Sequence, residues 1–283
     1  MRHQLELTEI ATQFVKAKRP LILCGAGVST DSNIPDYRGE KGAYIVNTKF
    51  KPITLSYFME KEAHRKRYWT RSYLGWDTIK NAKPNDSHYN ITRLEYLGGS
   101  IITQNVDGLH HKAGSSPLEL HGSLHIVQCQ SCLDTTPRDA FQEKLTSLNP
   151  TIASLNWHNQ VNPDGDAQIE LSNYDFITLP SCTKCNGILK PKVVFFGENI
   201  DIMTRTVADR LLEQSDYLLV IGSTLTTYSA YRFLYHLNKR NHFTASINLG
   251  HSRGQSLFNT VVNDQMKDCL PMLLDTITTL KNK

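Results

Sequence analysis

Two Cys-x-x-Cys pairs, Cys129/Cys132 and Cys182/Cys185, constrain this chain more than any other feature. Each pair presents two thiolates from one tight turn, so two pairs supply the four corners of a tetrahedral zinc site. Four sulfur ligands fill the coordination sphere and leave no position for water, which makes such a metal structural. A redox dithiol is the alternative, and it leaves the second pair without a purpose. Any chemistry must therefore come from other parts of the sequence.

With 283 residues, 40% of them hydrophobic and 20% charged, the chain suits one large domain carrying a small insertion. A net charge of only +4 gives no electrostatic footprint for nucleic acid or a membrane surface. The local run His64-Arg65-Lys66-Arg67 reads as a solvated helix face. No apolar stretch approaches the roughly 20 residues of a membrane span. Six cysteines without a secretory signal point to a reducing compartment. A bacterial cytoplasm is the expected location, with a mitochondrial form processed ahead of this numbering as the alternative. Cys24 closes an apolar run and reads as a small buried hydrophobe.

Apolar residues at near-helical spacing predict a first helix over 4–18. Short apolar runs predict strands at Pro20–Cys24, Ile101–Thr103, Tyr217–Ile221 and Ala245–Asn248, each ending in polar or glycine residues. Buried strands separated by helical stretches indicate an α/β protein with a doubly wound, Rossmann-like parallel sheet. Ligands of such sheets bind beyond the carboxyl ends of the strands. Asn162-Pro163-Asp164-Gly165-Asp166 marks a turn-rich insertion between the cysteine pairs.

Gly25-Ala26-Gly27 after the first strand holds two of the three glycines of a dinucleotide fingerprint, with Thr30 in the third place. It permits close approach to a phosphate, although an ordinary strand-to-helix turn would look the same. Arg38, in Asp36-Tyr37-Arg38-Gly39, is a candidate bidentate phosphate ligand or a surface ion-pair residue. Gln104, Asn105 and Asp107 gather two amides and a carboxylate at a strand end, suited to a ribose or a carboxamide. His121 is a candidate general base among eleven histidines, because imidazole titrates near neutrality. Lys190–Glu198, as a strand with Gly197 at its end, could take an extended peptide by strand addition or be a plain core strand.

In this order the motifs resemble a sirtuin, an NAD-dependent protein-lysine deacylase, over about residues 10–275. The resemblance is carried by Gly25–Ser29, Ile34–Gly39, Thr103–Asp107, His121-Gly122, the four cysteines, Val194–Glu198, Gly222–Leu225 and Ile247-Asn248. Arg67-Tyr68-Trp69, Gly75-Trp76, Pro163–Asp166 and Tyr228-Ser229-Ala230-Tyr231-Arg232-Phe233 are most similar to the class II branch. That branch includes a mitochondrial animal member.

The resemblance implies a single catalytic domain over 1–283. Its large lobe would comprise about 1–35, 86–122 and 190–275, with a helical small lobe at 36–85 and a zinc module at 123–189. It also implies that NAD is consumed as a co-substrate and that one structural zinc is held by Cys129, Cys132, Cys182 and Cys185. Gly25, Ala26, Gly27, Asp36, Tyr37, Arg38, Gly222, Ser223 and Thr224 would receive the dinucleotide, its pyrophosphate on the glycine turn. Asn248 and Met266 would meet its adenosine end. Ser29, Asn105 and Asp107 would line the nicotinamide pocket, and Gln104 the neighbouring ribose.

His121 and Asn105 are the implied catalytic groups. The acyl-lysine amide oxygen attacks C1′ as nicotinamide leaves, and His121 then takes a proton from a ribose hydroxyl that attacks the imidate. The products would be nicotinamide, O-acyl-ADP-ribose and free lysine. The acylated lysine of a protein substrate is the implied partner, lying along Val194, Phe195, Phe196, Gly197 and Glu198. Lys192 stands where an Asp is usual in the family.

Tyr68 and Arg71 have the Tyr-x-x-Arg spacing with which class III sirtuins hold acidic acyl chains, and one helical turn puts both on one face. Weak acetyl activity and better activity on longer or carboxylated acyl groups is the expectation, unless Arg71 is solvated or structural. Mono-ADP-ribosyl transfer from the same NAD site is a second reading. A non-catalytic zinc-ribbon module is a third, disfavoured by the acidic residues between the cysteine pairs.

Overall fold

The computed structural model describes residues 3–47, 50–157 and 160–282. Met1, Arg2, Thr48, Lys49, His158, Asn159 and Lys283, all inside the expected domain, lie outside the described residues. Among the described residues, nine strands form two sheets. They are β1 Pro20–Cys24, β2 Ser100–Thr103, β3 Leu118–Glu119, β4 Gly122–Cys129, β5 Thr135–Pro137, β6 Leu189–Val193, β7 Tyr217–Ile221, β8 Phe243–Ile247 and β9 Thr260–Val262.

The larger sheet has the order β3-β2-β1-β7-β8-β9, and every pairing in it is parallel. Its central strands are buried along their whole length because both faces are covered. Strand alternation divides β1 between two cores. Ile22 and Cys24 pack with Leu219 and Ile221 against helices Gln4–Lys16, Asp86–Tyr96 and Met266–Lys281. Leu21 and Leu23 pack with Leu218 and Val220 against helices Ile202–Gln214 and Tyr228–Lys239. From β1 the chain builds outward through β2 to β3, and from β7 outward through β8 to β9. The strand order therefore reverses between β1 and β7, and their carboxyl ends flank the crevice where such sheets bind ligands.

The second sheet, β5-β4-β6, is antiparallel. It shares a core with the helical segment before it: Phe58, Tyr68 and Trp69 pack with Val127, Phe141, Ile152, Ile177 and Phe195. Buried Arg138 stacks its guanidinium on Trp69, Trp76 and Phe141, and donates to the carbonyl of Ser72 across 3.2 Å. Cation–π contacts and a carbonyl acceptor offset the cost of taking that charge out of water.

Five expectations shift at their edges. The first helix ends at Lys16, and Asn248 follows β8 as its first loop residue. The glycine turn leads into a 3-10 helix, Ala26–Ser32, in place of an α-helix. Residues 190–193, expected in the large lobe, belong to β6 of the second sheet. The Lys190–Glu198 strand ends at Val193, because the backbone of Phe196 turns to pair with residues 53–55.

Candidate active site

The carboxyl ends of β1, β2 and β7 open into a cavity of about 1240 Å³ between the two sheets. Glycine makes the floor possible. A Cβ on Gly25 would sit 2.6 Å from Ser223 Cβ, and one on Gly27 would sit 2.9 Å from the carbonyl of Gly222. Any side chain there would push β1 and β7 apart, so the turn stays bare and close to whatever lies above it. Gly25 itself packs against Ser223; Ala26, Gly27, Gly222, Ser223 and Thr224 lie on the wall.

Ser29, Asn105 and Asp107 meet at one end, all buried. Ser29 Oγ donates to Asp107 Oδ2 across 2.7 Å, and Asn105 Nδ2 donates to Ser29 Oγ and to the carbonyl of Gly25, both at 3.1 Å. Asp107 Oδ1 accepts from the backbone N–H of Leu109 at 2.9 Å. Gln104 Nε2 donates to Ser223 Oγ at 2.7 Å, joining the ends of β2 and β7.

His121 stands where the chain leaves β3 for β4, at the seam of the two sheets. Its Nδ1 lies 3.2 Å from the carbonyl oxygen of Gln104, which can only accept, so Nδ1 carries the proton. Nε2 is left with a lone pair on the cavity side, 2.9 Å from Ser229 Oγ. Burial lowers the imidazole's pKa below the ordinary histidine value, against the opposing pull of the Gln104 carbonyl. A neutral, oriented ring with its Nε2 lone pair on the cavity side has the chemistry of a general base near neutral pH.

The cavity also takes in Asp36, Tyr37, Arg38, Asn248 and Met266. Asp36 accepts from the N–H of Gly39 at 2.9 Å, folding its loop back on itself, and Arg38 stacks over Tyr44. The segment Val194–Glu198 forms the opposite wall. Phe195 is buried in the small-lobe core, and the carboxylate of Glu198 accepts from Lys190 Nζ at 3.0 Å and from Phe195 N–H at 2.8 Å. Glu198 thus shapes this segment by an internal ion pair, with Lys190 almost wholly buried.

Tyr68 and Arg71 stand apart from the cavity wall. Tyr68 is buried among Phe58, Trp69 and Phe195. Arg71 Nε donates to the carbonyl of Ala167 at 3.1 Å, and its charge faces Asp164 and Asp166. The loop that carries those carboxylates crosses the helix Glu62–Asn81 at Gly75, where a Cβ would lie 1.9 Å from the carbonyl of Gly165. This crossing brings Pro163 and Asp164 into the cavity wall. Burial, and then the charge of Asp164, hold the carboxyl of Asp166 well above the usual carboxylate range. The guanidinium of Arg71 is thus held by a backbone carbonyl, within electrostatic reach of both carboxyl groups.

His88, Ser229 and Lys190 take roles at the site that the sequence did not single out. His88 accepts from the N–H of Asn85 through Nδ1, in a capping box, and presents Nε2 to Ser29 Oγ at 3.5 Å. A buried His110 ring packs 5.0 Å from it. Ser229 lies in the first turn of helix Tyr228–Lys239. Lys190 anchors Glu198 from β6.

Among the described residues, Cys129, Cys132, Cys182 and Cys185 bring their sulfurs within 4.8 Å of one another. The pairs Cys129–Cys185 and Cys132–Cys182 are separated by 3.5 and 3.6 Å, far beyond a disulfide bond. A tetrahedron with metal–sulfur bonds of about 2.3 Å has edges of about 3.8 Å, so the four thiolates fit a structural zinc. NAD likewise fits the cleft: a bare glycine turn, hydroxyl donors at Ser223 and Thr224, and a buried polar cluster lie on one wall.

The Sir2 family profile matches residues 25–229. NAD-dependent protein deacylase SIR4 of Batrachochytrium dendrobatidis is 41% identical, covering 91% of this chain and 89% of that protein. NAD-dependent protein deacetylase 2 of Bradyrhizobium diazoefficiens is 40% identical over 91% of this chain and 93% of that protein. The mitochondrial NAD-dependent protein lipoamidase sirtuin-4 of Homo sapiens is 36% identical over 95% of this chain and 86% of that protein. A solved Sir2 enzyme superposes with a TM-score of 0.75 at 27% identity, covering 98% of this chain and 99% of that one. A Sir2 homologue solved as a mutant with ADP-ribose superposes at 0.74 with 25% identity, covering 100% and 98%.

Proposed function

The chain belongs to the Sir2 family, and from that premise we propose how its residues perform NAD-dependent protein deacylation. The glycine turn, with Arg38, Ser223 and Thr224, receives the pyrophosphate. Ser29, Asn105 and Asp107 hold the nicotinamide carboxamide, Gln104 the adjoining ribose, and Asn248 with Met266 the adenosine end. The acyl-lysine enters along Val194–Glu198. His121 takes the proton of a ribose hydroxyl on Nε2, the bonding pair remaining on oxygen for attack on the imidate carbon. The single observation that carries this reading is His121 at the seam of the two sheets, its Nε2 lone pair facing the cavity.

Longer, uncharged acyl groups fit best. Arg71 is held by the carbonyl of Ala167 away from the cavity wall, and Asp164 on the wall places an acidic group where an anionic acyl chain would be disfavoured. The similarity to proteins named lipoamidases agrees with this choice. The large lobe is taken as about 1–35, 86–122 and 194–275, with the zinc module and helices as the smaller one. No described helix is long and apolar enough to cross a membrane; a reducing compartment, bacterial cytoplasm or mitochondrial matrix, suits four metal-binding thiolates.

The test is incubation with NAD and peptides carrying acetyl-, octanoyl-, lipoyl- and glutaryl-lysine, following nicotinamide release and product mass. Multiple-turnover formation of O-acyl-ADP-ribose and free lysine that depends on the acyl peptide and vanishes in His121→Ala supports the reading; deacylated product formed at the parent's rate in that variant refutes the base assignment. ADP-ribose on the peptide in place of O-acyl-ADP-ribose would identify the transferase reaction. A preference for glutaryl-lysine abolished by Arg71→Ala would overturn the acyl assignment.

A further inference from the structure

His121 has a second partner that the reaction scheme leaves unused. Ser229 Oγ lies 2.9 Å from Nε2, the nitrogen on which the ribose proton is to arrive. The contact joins residues 108 apart in sequence and bridges the seam of the sheets. Ser229 is itself held in place. Arg232 Nε donates to its carbonyl at 3.3 Å, and Arg232 in turn pairs with Asp209 on helix Ile202–Gln214. The two charges behind Ser229 therefore satisfy each other, and its hydroxyl is left to face the cavity and the imidazole.

From this geometry we propose that Ser229 is a positioning residue for the general base, holding the Nε2 of His121 through both of its protonation states. The proposal rests on the assignment of His121 as that base. A hydroxyl is both donor and acceptor. With Nδ1 protonated toward Gln104, Ser229 donates to the Nε2 lone pair and fixes the ring plane in the free enzyme. The incoming ribose hydroxyl takes over that lone pair, since Nε2 has only one. Once the proton has passed from ribose oxygen to Nε2, Ser229 Oγ can accept the new N–H by rotating its own proton away. An N–H of an imidazolium donates about twice as strongly as a neutral hydrogen bond. Ser229 thus favours the charged ring more than the neutral one, which works against burial, the influence that lowers the imidazole's pKa.

Three variants test this on the full chain with NAD and an acylated peptide. Ser229→Ala removes the hydroxyl from a half-exposed position in a first helical turn, where alanine suits the helix. Its kcat should fall by about tenfold, and the acid limb of its pH–rate profile should move down by about half to one pH unit. Ser229→Thr keeps a hydroxyl and should restore both the rate and the position of the limb. The His121 Nε2 resonance, titrated by nitrogen NMR, should show the same downward shift in the Ala variant. A Ser229→Ala enzyme whose acid limb and resonance titrate like the parent's overturns the proposal, whatever its rate. Failure of Ser229→Thr to restore the limb also overturns it. Activity retained in His121→Ala would instead overturn the base assignment, leaving the two failures distinguishable.

Discussion

Ser29 and Asp107 share a 2.7 Å hydrogen bond that ties the turn after β1 to the loop after β2. Asn105 supports it from one side and His88 from the other. The carboxylate is thereby fixed in orientation before any ligand arrives. Ser29→Ala should strip Asp107 of that donor and Asn105 of one acceptor. A buried charged group losing a partner costs about 1–3 kcal/mol, so kcat/KM for NAD should drop by about 10- to 100-fold. Initial rates with NAD varied at saturating acyl peptide check this; an unchanged value would remove the pair from NAD recognition.

Acid should unfold the protein partly through its buried histidines. Burial lowers the pKa of His88 to about 4 and of His110 to about 3. The unfolded chain binds these protons near pH 6.5, while the folded chain refuses them until the lower values. Stability is therefore complete above about pH 6.5 and is lost as pH falls toward 4. Each histidine contributes a slope of about 1.4 kcal/mol per pH unit in that window. Urea unfolding between pH 6.5 and 4.5 should show a shallower pH slope in His88→Gln than in the parent.

Lys190 and Glu198 form an ion pair from which the lysine has almost no solvent access. Lys190→Met should leave Glu198 without its partner and cost about 3–5 kcal/mol. The double variant Lys190→Met/Glu198→Gln should recover much of that loss, because no lone charge remains. Chemical denaturation midpoints of the parent, single and double variants decide it. A double variant as weak as Lys190→Met would mean that the pair acts through packing alone.

Gly75 admits the carbonyl of Gly165, and a methyl group at position 75 would overlap it. Gly75→Ala should cost about 1–3 kcal/mol and displace the loop that carries Pro163 and Asp164. The ratio of octanoyl to acetyl turnover should change along with the melting temperature. A changed melting temperature with an unchanged ratio would separate the loop from acyl selection.

Cys182→Ser should remove one corner of the sulfur tetrahedron. Zinc content should fall from one per chain, and the small-lobe core around Val127 and Ile177 should loosen first. Metal analysis and near-ultraviolet circular dichroism read the two effects. Full zinc occupancy in the variant would mean that the four sulfurs are not the ligand set.

Features set by local chemistry were legible in the sequence. Pro20–Cys24 and Tyr217–Ile221 could be read as strands because both of their faces are apolar, and the sheet buries both. The cysteine spacing stated its own geometry. His88 and Ser229 were not legible, because their partners lie 59 and 108 residues away and no local pattern connects them. Tyr68 and Arg71 illustrate a different limit. Their spacing fixes a common helix, but the loop at 161–167 supplies the carbonyl that holds Arg71 from outside that helix.

One strand, β4, begins at the residue after His121 and ends at Cys129. The imidazole and the sulfur cluster thus border opposite ends of one strand, whose register shifts between Gly122 and Val127. A chelator that frees the far end would slacken the near one, so depriving this protein of metal should blunt its turnover before the whole fold gives way.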